Sequence, residues 1–232
     1  MKIPILSYHS ISNETCPMSL NVKEFEKHLI FLKNNNYKSI NFDEINSLQK
    51  KQCIITFDDG YKDLIINALP LLKKYDFKAI CYIVANKIGK TNDWDFKNDL
   101  ILKKELMSIF DIQEWQKNGM SIGSHSFDHL DLTNLNKKDI KFQLSESKFF
   151  LEDLLSKEIK SFCYPYGKYD KDIILEVKKE YKNAVSTNRS RYNPKKHSEF
   201  LVPRIDMGKK LSFIKLYLKI QTIYEDIKYN EI

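Results

Sequence analysis

Short apolar segments alternate with longer amphipathic segments along this chain, and that alternation restricts the fold more than any other feature of the sequence. Residues 53–57 and 79–84 are largely apolar runs with the length of buried strands. By contrast, the apolar residues within 22–35 and 137–156 recur at the spacing of one helix face. Strands that are separated by helical crossovers pair in parallel. The sequence therefore predicts an α/β fold, a distorted (β/α)7-type barrel that forms a single domain.

The last segment of the 232-residue chain is expected to differ from the rest. Residues 1–208 are predicted to form the barrel, and residues 209–232 a C-terminal amphipathic helix packed on it. Because lysines are interspersed with apolar residues in this segment, weak peripheral contact with an anionic membrane surface is the alternative use of its apolar side chains. No apolar stretch approaches the roughly 20 residues that a membrane-spanning helix needs.

The composition of the chain restricts which partners it can bind and in which cellular compartment it is expected. The net charge is +7, but only three of the 38 basic residues are arginines, the residue that nucleic-acid readers favour, so no nucleic-acid partner is expected. The N-terminal apolar run is too short for a secretory signal, which predicts a cytoplasmic protein. Four cysteines lack metal-type spacing and are expected to be reduced, mostly buried thiols. The oligomeric state is left open.

Two adjacent carboxylates, Asp58 and Asp59, directly follow the apolar run at 53–57. Chemistry in parallel α/β folds collects at the carboxyl ends of the strands, so this pair is expected at the mouth of the barrel. Two neighbouring negative charges are unfavourable unless a cation or a proton compensates them. The pair therefore indicates a metal ion beside one carboxylate, with the other available to move a proton. A helix N-cap with an acidic first turn is the structural alternative.

Two further strand ends carry residues suited to the same chemistry. His125 and His129 are four positions apart, so both rings can converge on one ion, and two histidines with one carboxylate leave coordination positions for water and substrate. The same ligand set serves non-haem iron, so it does not fix the metal. Near residue 164, Pro165 and Gly167 around Tyr166 suit a rigid turn that directs a backbone N–H and an aromatic ring into the mouth.

In this order and with these separations, the three motifs resemble those of the polysaccharide deacetylase family, carbohydrate esterase family four, over residues 3–207. The resemblance implies a distorted βα barrel that removes N-acetyl or O-acetyl groups from sugars with one divalent metal ion, most often Zn²⁺, with Co²⁺, Ni²⁺ or Fe²⁺ as alternatives. It also implies roles by position: Asp58 as catalytic base, Asp59, His125 and His129 as metal ligands, and Pro165 with the Tyr166 backbone N–H in the substrate pocket.

The chain departs from the family pattern at two places. Cys163 stands where the third motif usually begins with arginine, and the late Leu-x-His motif that supplies the general acid is missing. The chain resembles a permuted-motif subgroup, the poly-N-acetylglucosamine deacetylases, in which an early Tyr-His pair supplies the acid; here that pair is Tyr8-His9. A Pro-Arg-Ile segment of the subgroup corresponds to residues 203–205, so Arg204 would orient or charge-balance Asp58, with a surface ion pair of Arg204 as the alternative.

One more residue and the substrate complete the interpretation. Trp94, in a polar insertion at 86–110, is either a stacking platform for a sugar ring or a packing residue. The predicted function is a metal-dependent deacetylase that hydrolyses an N-acetyl or O-acetyl group on a sugar of a surface-glycan precursor or polysaccharide. A catalytically silent carbohydrate-binding module on the same barrel and an amidohydrolase of small amides are the alternatives.

Overall fold

The computed structural model describes residues 2–45, 51–95, 100–208 and 210–228. These residues form a main sheet of eight parallel strands and a separate parallel pair. The strands are β1 (Ile5–Tyr8), β2 (Ser10–Ile11), β3 (Ser19–Leu20), β4 (Lys38–Ser39), β5 (Gln52–Phe57), β6 (Ile80–Ile83), β7 (Ser121–Ser124), β8 (Ser161–Cys163), β9 (Asn183–Val185) and β10 (Ile205–Asp206). Their order in the main sheet is β10-β1-β5-β6-β7-β8-β9, with β4 beside β5, and β2 pairs with β3.

Helices follow most strands and cover the outside of the sheet. They are α1 (Val22–Asn34), α2 (Leu69–Tyr75), α3 (Ile109–Lys117), α4 (Lys137–Leu155), α5 (Lys171–Glu180), α6 (Phe213–Gln221) and α7 (Tyr224–Lys228) among the described residues. A parallel bridge between Val185 and Val202 brings the chain after β9 back beside the sheet. The architecture is a curled parallel half-barrel surrounded by helices, which confirms the predicted α/β fold in a single domain.

Side chains along the central strands alternate between two apolar layers. Ile55 and Cys81 pack in the layer that includes helix residues, whereas Ile54 and Ile80 pack in a second layer within the curled sheet. Successive residues of a strand point to opposite faces. Asp58, whose N–H extends the ladder to the Tyr8 carbonyl, therefore shares the interior face with Ile54. Alternation along β5 places this carboxylate at the inner mouth of the barrel.

The helical segment between β5 and β6 contains two helical forms. Residues Leu64–Ala68 adopt a π-helix, and α2 begins at Leu69 with Pro70 in its first turn. Proline has no N–H to donate and would clash with the carbonyl four residues earlier in a regular helix. The wider turns before Pro70 accommodate it. Helix α3 begins within the polar insertion at 86–110, where Ser108 caps it by accepting a hydrogen bond from the Asp111 N–H.

The C-terminal segment forms two short helices, α6 and α7, between residues 210 and 228; residues 209 and 229–232 lie outside the described part. Leu216 and Ile220 of α6 are buried in the core. Asp226 of α7 is buried and pairs with Lys2 and Arg191 at 2.8 and 2.7 Å. Within the described ranges no helix has both the length and the apolar character to cross a membrane. All four cysteines are free and buried, as expected from their spacing.

Candidate active site

Three ligand candidates meet where β5 and β7 end. The Nε2 atoms of His125 and His129 each lie 3.4 Å from Oδ1 of Asp59. One ligand atom from each residue lies within 4.8 Å of the others, and all three side chains are buried. A carboxylate and two imidazoles converge here, as their positions in the sequence predicted.

His125 is held in one orientation by the neighbouring strand end. Its Nδ1 lies 2.7 Å from the backbone oxygen of Cys163. A carbonyl oxygen only accepts, so Nδ1 carries the proton and donates, and in the neutral ring Nε2 keeps its lone pair. This lone pair is the one that faces Asp59. Backbone carbonyls orient metal-binding histidines in the same way in known metal sites.

His129 lies between two aromatic rings. Trp94 stacks on its imidazole with centroids 4.4 Å apart, and Tyr166 contacts it edge-on at 4.6 Å. Burial is the largest influence on this ring and lowers the pKa of His129, which favours the neutral form that binds metals. Trp94 therefore packs against a candidate metal ligand, which corresponds to the packing alternative given for it in the sequence analysis.

The backbone around these ligands adopts unusual conformations. Asp59, Ser126, His129 and Tyr166 all have positive φ angles, of 70°, 65°, 61° and 58°. Residues other than glycine rarely adopt positive φ angles. Hydrogen bonds compensate in the histidine loop, where the His129 N–H donates to the Ser126 Oγ at 3.0 Å. In the turn after β5 this conformation falls on Asp59, one of the candidate metal ligands.

Asp58 is bound by a buried arginine from the other end of the chain. Arg204 donates from both terminal nitrogens to the two carboxylate oxygens at 2.7 Å each, and also to Thr56 Oγ1 at 3.2 Å. Burial raises the pKa of Asp58, but the charge and hydrogen bonds of Arg204 outweigh it, and the net pKa lies below the usual value. Arg204 is 3% exposed, which excludes the surface ion pair considered for it.

Cys163 and Ser186 complete the surroundings of Arg204. Its Nε donates to the Ser186 carbonyl at 3.0 Å, and one terminal nitrogen lies 3.4 Å from the Cys163 sulfur. The small thiol occupies the position of the arginine expected in the third motif. It thereby leaves room for Arg204 to reach Asp58 from the strand beside β1.

His9 lies at the open side of the same carboxylate. Its Nε2 is 3.9 Å from Oδ2 of Asp58, and about a third of the side chain (32%) is exposed. A cavity of about 270 Å³ adjoins both residues and is also lined by Arg204, Arg189 and Asp206. The base and acid candidates therefore face one space large enough for a small ligand group.

The turn after β8 lies across the mouth. Pro165 is buried, whereas the Tyr166 side chain is 47% exposed beside His129. Gly167 has a φ of +67°, and a Cβ at this position would come within 1.9 Å of Thr187 Oγ1. Only glycine fits this close approach, so the turn that presents Tyr166 depends on it.

Sequence reasoning missed two networks that support the site. Asp128, between the two histidines, accepts hydrogen bonds from Asn86 and Gln143 at 2.7 Å and so anchors the histidine loop. Asp63 accepts from the Ser10 hydroxyl and the Ile11 N–H, and it pairs with Lys104, which fixes the chain just after His9. The carboxylate at position 128 inside the His-x-x-x-His motif is the one sequence signal that pointed to the first network.

The mouth of the curled parallel barrel thus presents a carboxylate and two histidines that could hold a metal ion, beside a second carboxylate. Residues 46–184 match the sequence model described as polysaccharide deacetylase. This chain belongs to the polysaccharide deacetylase family, which confirms the resemblance seen in its motifs.

Individual relatives agree with this assignment. YxkH of Bacillus subtilis (strain 168), named for the same family, is 33% identical over 196 residues, which are 80% of this chain and 64% of YxkH. This chain therefore spans less than two thirds of that relative. The poly-beta-1,6-N-acetyl-D-glucosamine N-deacetylase of Staphylococcus aureus (strain MRSA252) is 27% identical over 85% of this chain and 71% of its own length. The crystal structure of BA0330 from Bacillus anthracis superposes with a TM-score of 0.81 and 25% identity, covering 95% of this chain and 69% of BA0330.

Proposed function

We propose that this protein is a metal-dependent deacetylase that hydrolyses the N-acetyl group of a sugar within a polysaccharide or its precursor. The observation that carries the proposal is a buried carboxylate, Asp58, kept ionised by Arg204 directly beside the Asp59, His125 and His129 donors. Well-packed apolar residues would stabilise the fold as well as this buried ion pair does. A buried charge next to three metal-type donors therefore points to a role in function. The N-deacetylase name of the S. aureus relative supports the same chemistry.

The donor set fits a divalent transition metal. The ionised Asp59 carboxylate offers only lone pairs, which a cation can use. The hydrogen bond from His125 Nδ1 to the Cys163 carbonyl leaves Nε2 as the atom of this ring that can bind an ion. Two imidazoles and one carboxylate suit Zn²⁺, the expected ion, and also Co²⁺, Ni²⁺ or Fe²⁺. Asp59, His125 and His129 would hold it, and it would supply an activated water and polarise the acetyl carbonyl.

The general base in this proposal is Asp58. Because its pKa lies below the usual value, the carboxylate is ionised at neutral pH and ready to accept the proton of the attacking water. Arg204 fixes both oxygens, so the orientation of the accepting lone pair is set before substrate arrives.

His9 is the proposed general acid. A departing amine must gain a proton, and His9 faces the shared cavity within 3.9 Å of Asp58. The Tyr166 backbone N–H is proposed to stabilise the negative charge that develops on the acetyl oxygen. The exposed Tyr166 ring offers an apolar face to the sugar.

Acetate release tests this function. The protein is stripped with chelator, reconstituted with Zn²⁺, and assayed on poly-β-1,6-N-acetylglucosamine, chitooligosaccharides, N-acetylated nucleotide sugars and lipid-linked sugar analogues. We expect metal-dependent acetate from at least one of them, and none from Asp58→Asn that still binds metal. The exposed α4 carboxylate offers a matched control, Asp153→Asn, which should keep full activity. Acetate at equal rates with and without metal would refute the proposal, and metal binding without acetate from any sugar would favour the binding-module or small-amide alternatives.

A further inference from the structure

The helix α6 has one face against the barrel and one face directed outward. Leu216 and Ile220 are buried in the core, and the buried Lys219 donates to the Asp206 carbonyl at 2.7 Å. Away from the barrel, Ile214 is 71% exposed and Tyr217 is 47% exposed, and Phe213, also 71% exposed, lies at the edge of this side, where its ring contacts Phe31 of α1. We call these three residues the outer face of α6. The apolar side chains of a surface helix normally point inward, so an outer face of this composition is unusual.

The charged residues of the C-terminal segment 210–228 are also divided between the side that faces the barrel and the side that faces outward. Glu225 and Asp226 are the acidic residues of 210–228, and both are buried. Asp226 pairs with Lys2 and Arg191, and Glu225 lies 3.2 Å from the Lys219 nitrogen. Every acidic side chain of this described segment therefore faces the barrel.

The exposed charges of the segment are all positive. Lys210, Lys215 and Lys228 are exposed, as are the apolar residues Ile223 and Ile227 at 55% and 49%. Within residues 210–228 the accessible surface thus combines apolar side chains with lysines and carries no anion. This combination is typical of helices that lie in the interface of an anionic bilayer, where lysines reach the lipid phosphates and apolar side chains enter the acyl boundary.

We propose that the outer face of α6 docks the protein on an anionic lipid surface. A second copy of the chain is a poorer partner, because a two-fold contact through this face would bring the Lys215 side chains of the two copies into one interface. The proposal goes beyond the deacetylase function and does not depend on it. In this proposal the C-terminal segment makes two contacts. Its acidic and buried apolar residues contact the barrel, and its exposed apolar and cationic residues contact lipid.

Vesicle sedimentation with the full chain tests the proposal. Wild-type protein should partition onto phosphatidylcholine vesicles that contain phosphatidylglycerol, and not onto phosphatidylcholine alone. Replacing two exposed lysines (Lys210→Gln/Lys215→Gln) should weaken this partitioning by about 25-fold, at about fivefold for each lysine near the surface. Ile214→Ser/Tyr217→Ser, which leaves the contact of Phe213 with Phe31 intact, should weaken it by at least about tenfold.

Two controls keep the result specific. Phe149→Ser on α4 removes an equally exposed aromatic residue, 69% accessible, and should not change partitioning. Acetate release from a soluble sugar should be the same for all these variants, since none of the replaced residues lies at the barrel mouth. Equal partitioning of the wild type and both double variants would overturn the proposal. So would a dimer, measured by light scattering, that the Ile214→Ser/Tyr217→Ser variant dissociates.

Discussion

Replacing Arg204 with methionine should remove the charge that contributes most to keeping Asp58 ionised in the interior. The two residues are each 3% exposed, and their side chains share two hydrogen bonds of 2.7 Å. Removing one partner of a buried ion pair leaves an uncompensated charge and costs about 3–5 kcal/mol. We expect Arg204→Met to lower the free energy of unfolding by this amount in urea titrations.

The same substitution should change the pH dependence of acetate release. Burial raises the pKa of Asp58 and Arg204 is the main group that lowers it, so without Arg204 the effect of burial is opposed less and the pKa rises. Because the base must be deprotonated, the acid limb of the kcat profile should move to higher pH. Arg204→Lys keeps the charge but not the two-pronged geometry, and should shift the limb less.

A double variant separates the charge from the side chains. Adding Asp58→Asn to Arg204→Met removes the uncompensated charge, so the double variant should be more stable than Arg204→Met alone, whereas its acetate release should be lost because the proposed base is gone. Arg189→Met is the matched control in the same cavity, because its pair with Asp206 is about a third exposed and should contribute below about 1 kcal/mol. If Arg204→Met cost no more than this control and left the acid limb in place, Arg204 would not hold Asp58 ionised.

Three further results are expected. His9→Ala should reduce hydrolysis of amides far more than of activated aryl esters, whose leaving groups need no proton; equal losses would assign His9 a structural role. His125→Ala and His129→Ala should each lose bound metal by elemental analysis, and full stoichiometry in both would contradict the ligand assignment. Asp226, with a folded-state pKa of about 2 against an ordinary 3.8, should stabilise the fold by about 2 kcal/mol above pH 4. The stability difference from Asp226→Asn, measured in urea, should therefore shrink as pH falls from about 4 to 2, and a constant difference would contradict this.

Features encoded locally in the sequence were predicted well. The strands around 53–57 and 79–84 were found because buried parallel strands form continuous apolar runs. Asp59, His125 and His129 could be identified as a group because they come within a few residues of the ends of β5 and β7, and parallel strands end at one side of the barrel.

Features that depend on tertiary contacts could not be derived from the residues alone. Asp58 and Arg204 are 146 positions apart, and only the Pro-Arg-Ile resemblance pointed to their pairing. The stacking of Trp94 on His129 depends on how an irregular insertion folds over the mouth, which periodicity does not describe. The sequence also did not predict which face of α6 packs on the barrel, because apolar residues occupy both faces of this helix.

The left-handed residues of the barrel mouth have a consequence for how this protein can evolve. Asp59, Ser126, His129 and Tyr166 each hold a conformation that disfavours their side chains by about 1–2 kcal/mol. Together they consume a substantial part of the 5–15 kcal/mol by which a typical domain is stable. Ser126→Gly would relieve one of these strains but would also remove the hydroxyl that accepts from the His129 N–H. Selection for heat resistance and selection for turnover should therefore favour different residues at this position, and a thermostable variant that keeps Ser126 must gain its stability elsewhere in the barrel.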